Sequence, residues 1–455
     1  MIAKNILETI GNTPLVELTH TDAGLCRLFM KLENQNPGGS IKDRVGVSMI
    51  NEAEKLGRIK PGDTIIEATA GNTGIGLALA ARLKGYRLTL VIPDKMSQEK
   101  INHLRALDVE IILTRSDVGK GHPEYYQDYA QRIAVERSAF YVNQFENQAN
   151  PLAHETSTAP EIWEQMEHRV DALVLGVGSS GTITGFTRFF KKVSPQTEII
   201  LADPQGSILA DYINKHILRT DAGSWLVEGI GEDFVPSIAD FSLTRKAYTV
   251  SDRESFEAVR NLLKNEGILA GSSSGTLLSA AIRYCREQTD AKRVATIACD
   301  SGNKYLSKLY NDYWLLDHGL AENKHFGDLR DLVSRRFEDN SIVYVVPNDT
   351  LRAVYGKFKL YDISQLPVLD KTKVVGILDE SDLLLALNSK SCSMETPVKD
   401  IMNRELITIP YTATRDELLT ILNNGLVAIV ENPQGDFEGL ITRIDFINYL
   451  NIMDK

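Results

Sequence analysis

Cysteine is scarce in this 455-residue chain, and Cys26, Cys285, Cys299 and Cys392 stand far apart, with no C-x-x-C pair and no Cys/His cluster. The spacing excludes a disulfide scaffold and a zinc finger, so no metal site is expected, and it fits reduced thiols in a cytoplasmic protein. Nor does any apolar run approach the ~20 residues of a membrane span. The segment Met1–Thr9 lacks a basic stretch followed by an apolar one, so no signal peptide is expected. Positive charge is not in excess either. A formal net charge of -11 argues against a nucleic-acid or anionic-membrane surface. Without biased tracts, the chain reads as a globular protein whose length suggests two or three domains.

From about residue 27 to 315, short apolar runs alternate with helical stretches. Expected strands are Arg27–Glu33, Thr64–Ala68, Leu88–Pro93, Glu110–Thr114, Ala172–Val177, Glu198–Ala202 and Arg293–Ala298. Helical segments between them include Val45–Leu56, Ile75–Lys84 and Ile183–Val193. This alternation predicts an α/β fold with open parallel sheets flanked by helices, whose ligands bind at strand-to-helix loops.

After Trp314 the pattern becomes an internal repeat. Strand Val343–Val346, helix Thr350–Lys359 and strands Leu366–Leu369 and Val374–Leu378 form one copy. Strand Leu406–Ile409, helix Ala413–Asn423 and strands Val427–Val430 and Glu438–Ile441 form the other. Each copy closes on a helix, where Gly376-Ile-Leu-Asp-Glu-Ser-Asp382 answers Gly439-Leu-Ile-Thr-Arg-Ile-Asp445. Two units too small for separate cores imply a pair packed face to face.

Four loops carry chemistry. Asn36-Pro-Gly-Gly-Ser-Ile-Lys42 ends with a lysine in the first turn of a helix, where the dipole disfavours its charge. A lysine so placed has a lowered pKa and offers a neutral amine for a Schiff base. Thr69-Ala-Gly71-Asn72-Thr73 also follows a strand and opens a helix, forming a neutral anion-binding turn suited to a carboxylate. Gly178-Ser-Ser-Gly-Thr182 reads as a phosphate cup of backbone amides and hydroxyls. Gly271-Ser-Ser273-Ser-Gly275 places a hydroxyl at a further helix start. A rival reading exists for the third loop. Gly176-Val-Gly178-Ser-Ser-Gly181 satisfies the dinucleotide fingerprint, with Asp203 as the ribose-binding acid of an NAD-dependent oxidoreductase. That reading gives no role to the two earlier loops or to Lys42.

With these loops in this order, the chain resembles the β-family of pyridoxal-phosphate enzymes, of the tryptophan-synthase-β fold (fold type II). Within that family it is most similar to the cystathionine β-synthases. The resemblance runs from Ile10-Gly-Asn-Thr-Pro-Leu15 to Trp314 and continues through tandem CBS domains. It implies that catalytic Lys42 carries pyridoxal 5'-phosphate and moves the α-proton of the amino-acid substrate. It also implies that Asn72 contacts the cofactor's ring hydroxyl, that Gly178, Ser179, Ser180, Gly181 and Thr182 hold its phosphate, and that Ser273 faces the ring nitrogen. Thr69, Ala70, Gly71, Asn72 and Thr73 then line the substrate carboxylate loop, with Gln144 and Gly231 bordering it; the family often has Ser at the position of Ala70. The hydroxyl of Ser273 would not hold the ring nitrogen protonated, which favours β-elimination chemistry.

The implied reaction is β-replacement on serine by homocysteine, giving cystathionine, in transsulfuration and cysteine biosynthesis with possible sulfide production. Phe145 stands where many cystathionine β-synthases have Tyr, and Gln144-Phe145 is similar to cysteine synthases. This keeps O-acetylserine and sulfide open as substrates. No haem is expected, because the catalytic signature starts at Ile10. In the repeat, Thr442 and Asp445 match a ribose-binding pattern for S-adenosylmethionine or an adenine nucleotide, whereas the first copy has Asp379 in place of the Thr. The expected organisation is a catalytic domain over 1–318, a linker at 319–325 and CBS domains over 326–390 and 396–455, in a homodimer or larger homo-oligomer.

Overall fold

The computed structural model describes residues 2–453 apart from 70, 95, 120, 322–324, 340 and 390–391. The chain divides into two compact units, Met1–Asn311 and Asp312–Lys455.

In the first unit, the apolar runs build two sheets. Leu15–Glu17, Arg27–Lys31, Arg293–Ile297, Ala172–Gly176, Glu198–Pro204 and Thr244–Val250 form the larger one, in that spatial order. Its first pair is antiparallel and the others are parallel. The smaller sheet is wholly parallel, in the order Glu110–Thr114, Arg87–Pro93, Thr64–Ala68, Phe140–Tyr141. Strands such as Ala172–Gly176 and Thr64–Ala68 are buried almost throughout because helices cover both faces, so they read as unbroken apolar runs.

Three strands depart from the sequence expectation. Thr244–Val250 is an edge strand rich in polar residues, and Leu15–Glu17 and Phe140–Tyr141 are too short to show a period.

Two helix crossings bring the loops together. Helix Lys42–Lys55 meets helix Asn72–Lys84 at Gly46 and Gly76. A Cβ on Gly46 would lie 2.3 Å from the Gly76 carbonyl carbon, and one on Gly76 would lie 2.4 Å from the Lys42 carbonyl oxygen. Only glycine at both positions allows this approach. Helix Gly181–Val193 likewise presents Gly185 to the Pro151 carbonyl, which a Cβ would approach to 2.4 Å.

In the second unit, Gln365–Asp370 and Lys373–Asp379 form an antiparallel pair in the first repeat. Thr408–Pro410, Ala428–Glu431 and Phe437–Ile441 form a three-stranded sheet in the second. Each repeat has its own apolar cluster, and Leu369, Val374, Ile429 and Phe437 form another that spans both. The expected strand Val343–Val346 is absent and reduces to a single bridge between Val345 and Val368. Pairing stops there because Pro347 lacks a donor and the Val346 amide turns to the Asp349 carboxylate.

Candidate active site

The four loops of the first unit open on one cavity of about 260 Å³. Lys42 is the first residue of its helix, and its Nζ lies 3.4 Å from Ser179 Oγ. Burial holds the amine below the ordinary lysine pKa, against the opposing pull of Cys299 and Glu232. Its neighbours turn elsewhere. The Gly38 amide donates to Asp43 Oδ2 at 2.5 Å, and Arg44 makes bidentate pairs with Glu33 and Glu161 at 2.6–2.8 Å. The Lys42 amine therefore faces the cavity, with the Ser179 hydroxyl beside it.

Opposite it, Gly71 takes φ 112 and Asn72 opens the next helix. Thr69 Oγ1 accepts from the Gly71 amide at 3.1 Å. Thr73 Oγ1 donates to Gln144 Oε1 at 2.7 Å, and Gln144 Nε2 donates to the Ala68 carbonyl at 3.0 Å. Ala70 lies outside the described residues. Gly231 (φ +88) also lines the cavity, and a Cβ there would lie 2.5 Å from Pro204 and 2.8 Å from Trp225.

The phosphate-type turn is built on Ser180, held at φ 63 immediately before helix Gly181–Val193. A left-handed residue at a helix start turns successive amides to one side and makes an anion-binding nest. Ser180 Oγ is buried, and among the described residues it has no hydrogen-bond partner. Cβ atoms on Gly178 and Gly181 would lie 2.6 Å from the Gly229 carbonyl and 1.9 Å from Asn150 Oδ1. Backbone amides, an orphaned hydroxyl and glycines thus leave a recess that suits a phosphate group. Thr182 reaches His154 Nε2 at 3.4 Å. Ser273 lies in the first turn of helix Ser272–Arg286 and lines the cavity together with Cys299. The Lys42 amine, the turn from Thr69 to Thr73, the amide nest from Gly178 to Thr182 and the Ser273 hydroxyl all line one cavity.

Residues 6–300 match the family described as pyridoxal-phosphate dependent enzyme, and residues 329–389 and 398–452 each match the CBS domain. The chain is 36% identical over 470 residues to the cystathionine beta-synthase of Dictyostelium discoideum, across 99% of this chain and 93% of that one. This chain belongs to the cystathionine β-synthase family of pyridoxal-phosphate enzymes.

It is therefore a pyridoxal-phosphate-dependent β-replacement enzyme of fold type II with a C-terminal CBS module. It is also 40% identical to the cysteine synthase of Staphylococcus aureus strain N315, over 67% of this chain and 95% of that one. The solved O-acetylserine dependent cystathionine beta-synthase from Helicobacter pylori is 36% identical, with a TM-score of 0.63, covering 68% of this chain and 98% of that one. The family assignment removes the dinucleotide alternative, and the structure supplies the local reason. The Asp203 carboxylate caps the next helix, accepting from the Ala210 amide at 2.8 Å, and burial raises its pKa to about 6.

Several residues that sequence reasoning missed complete this family site. Asn150 is fully buried, and its Nδ2 donates to the Gln144 carbonyl and to Ser179 Oγ, both at 2.9 Å. It thereby ties Gln144, which braces Thr73, to the amide nest at Ser179. Tyr125, Tyr126, Glu232 and Asp233 line the cavity; Phe145, singled out already in the sequence, packs on Phe234 at 5.6 Å between ring centroids. Asp300 and Lys304 bracket Asn72. The π-helical turn His154–Thr158 was a usable signal for none of these, since it shows only in three dimensions.

In the second unit, the Thr442 amide and Oγ1 donate to Asp445 Oδ2 at 2.7 and 2.5 Å, and Ser334 Oγ donates to Asp445 Oδ1 at 2.5 Å. The corresponding Asp379 is a helix cap in a reciprocal box with Asp382. Among the described residues, no helix is long and apolar enough to cross a membrane and no acidic, His or Cys cluster could hold a metal ion.

Proposed function

We propose that this enzyme joins serine to homocysteine, forming the thioether of cystathionine and releasing water. The observation that carries this reading is the near full-length match, CBS module included, to a relative bearing that name, whereas the cysteine synthase match spans only 67% of the chain. The cavity lining supports it. Tyr125, Tyr126, Glu232 and Asp233 give polar and acidic groups that a zwitterionic thiol amino acid can use and that bare sulfide does not need.

Pyridoxal phosphate, when bound, supplies the electron sink that makes the substrate's α-proton acidic. Lys42 would hold it covalently, Gly178 to Thr182 would take its phosphate, Asn72 its ring hydroxyl and Ser273 its ring nitrogen. The Lys42 amine, whose pKa burial lowers, takes the proton from the substrate's α-carbon and later returns it. The turn from Thr69 to Thr73, braced by Gln144, fixes the substrate carboxylate so that the α-proton faces that amine.

A second reading, O-acetylserine as donor or sulfide as acceptor, is favoured by Phe145, whose ring packs on Phe234 and brings no hydroxyl to the cavity. Product analysis with serine or O-acetylserine, each crossed with homocysteine or sulfide, decides between them. Cystathionine formed fastest from serine and homocysteine supports the main reading, and cysteine as the dominant product overturns it.

The CBS repeats at 326–390 and 396–455, joined to a catalytic domain over 1–318, are proposed to bind an adenosyl ligand, S-adenosylmethionine or an adenine nucleotide. Asp445 would meet its ribose, exchanging the Ser334 and Thr442 hydroxyls for those of the sugar. Cytoplasmic location and assembly as a homodimer or larger homo-oligomer complete the proposal; cell fractionation and light scattering test them.

A further inference from the structure

Asn72 is where the reading of the cofactor site depends on the direction of a hydrogen bond. A side-chain amide can donate or accept toward a ring oxygen, and its own symmetry of shape does not decide which. Its surroundings do. Asn72 Nδ2 donates to Asp300 Oδ2 at 2.7 Å, and Lys304 Nζ donates to Asn72 Oδ1 at 2.8 Å. Both partners are buried, Asp300 at 1% exposure and Lys304 at 6%. Reversing the amide would set oxygen against a carboxylate and N–H against a lysine amine, losing two charge-assisted bonds in a water-poor site.

The bracket is itself braced. Tyr305 donates to the same Asp300 oxygen at 2.6 Å and receives a bond from Lys100 at 2.8 Å. Lys304 packs its stem near Gly39, in the loop leading to Lys42, where a Cβ would lie 3.4 Å from Lys304 Cε. Burial lowers the Lys304 pKa to about 8, with Asp300 and Asp43 opposing that shift and Lys100 adding to it.

We infer that Lys304, paired with Asp300, is a positioning residue that locks the Asn72 amide with its N–H toward the cofactor's ring oxygen. This rests on the reading of Asn72 as the residue that meets that oxygen. The locked donor stabilises the ring oxygen when it is ionised, so its loss changes both the colour of the bound cofactor and the strength of its binding.

The test is a titration of cofactor-free protein with pyridoxal phosphate, recording the visible spectrum of the bound form and its dissociation constant. The proteins are wild type, Lys304→Met, Lys304→Gln, Asn72→Ala and the Lys304→Met/Asn72→Ala double variant. Lys304→Met is expected to shift the absorbance band toward that of Asn72→Ala and to weaken binding by about tenfold, the scale of one charge-assisted hydrogen bond. Lys304→Gln keeps a neutral donor and is expected to recover part of both effects, which a merely structural loss would not. In the double variant, the Lys304 change is expected to add nothing to the Asn72 change. A wild-type spectrum and affinity in Lys304→Met, or full additivity in the double variant, overturns the inference. If Asn72→Ala itself leaves the spectrum unchanged, it is the reading of Asn72 that fails.

Discussion

At Lys42, helix position and burial act in the same direction, both disfavouring the charged amine. Lys42→Ala should reduce replacement turnover on the order of 10³-fold, the usual worth of a positioned proton carrier, as measured by steady-state kinetics with excess cofactor. Glu67 shows the same physics in a carboxyl group. It is fully buried near the end of its strand, accepts from the Ala68 and Gln144 backbone amides, and burial raises its pKa from 4.5 to about 8. The folded protein therefore keeps a proton that the unfolded chain has lost above pH 4.5. The stabilisation is full below that pH and disappears as pH rises through about 8. Melting temperature should fall between pH 6 and 9, and should fall less in Glu67→Gln; an equal fall in both would contradict the assignment. Residues adjacent in a motif, such as Lys42 or Ser273, were legible in the sequence. Asn150, Asp300 and Lys304 were not, because the bonds that join Asn150 to Ser179 and Asp300 and Lys304 to Asn72 span 29 to 232 positions of chain.

Among the elements, the crossing of helices Lys42–Lys55 and Asn72–Lys84 fixes the distance between the Lys42 amine and the turn from Thr69 to Thr73. A methyl group at Gly46 or Gly76 meets backbone atoms, which cannot yield as a flexible side chain can. Gly46→Ala should cost about 1–3 kcal/mol, as overpacking does. Calorimetry would show a lowered melting temperature and a cofactor titration weakened binding; an unchanged melting temperature would contradict the account of the crossing. The buried parallel strands were legible because cover on both faces makes them continuous apolar runs, and the loops were legible because Gly, Ser, Thr and Asn cluster between strand and helix. The edge strand Thr244–Val250 and the lost strand at Val343–Val346 show where that logic ends. One is held by a neighbour despite its polarity, and the other is cut short by Pro347 despite its apolar side chains.

On the scale of the whole molecule, the repeat was legible in order and spacing, since each copy must bury an apolar face against the other. The ligand of that module was not, because Thr442 and Asp445 make sense both as a helix-capping pair and as a sugar site. Calorimetric titration of the full chain with S-adenosylmethionine and with adenine nucleotides should show one site per chain that Asp445→Ala abolishes. Binding retained in Asp445→Ala would place the ligand elsewhere. The central claim is that one lysine among several buried near the cavity carries the cofactor. The direct test is borohydride reduction of the pyridoxal-phosphate-loaded enzyme followed by peptide mapping. The account predicts loss of the visible absorbance and a pyridoxyl group fixed on Lys42; a label on Lys100 or Lys304, or none at all, would contradict it.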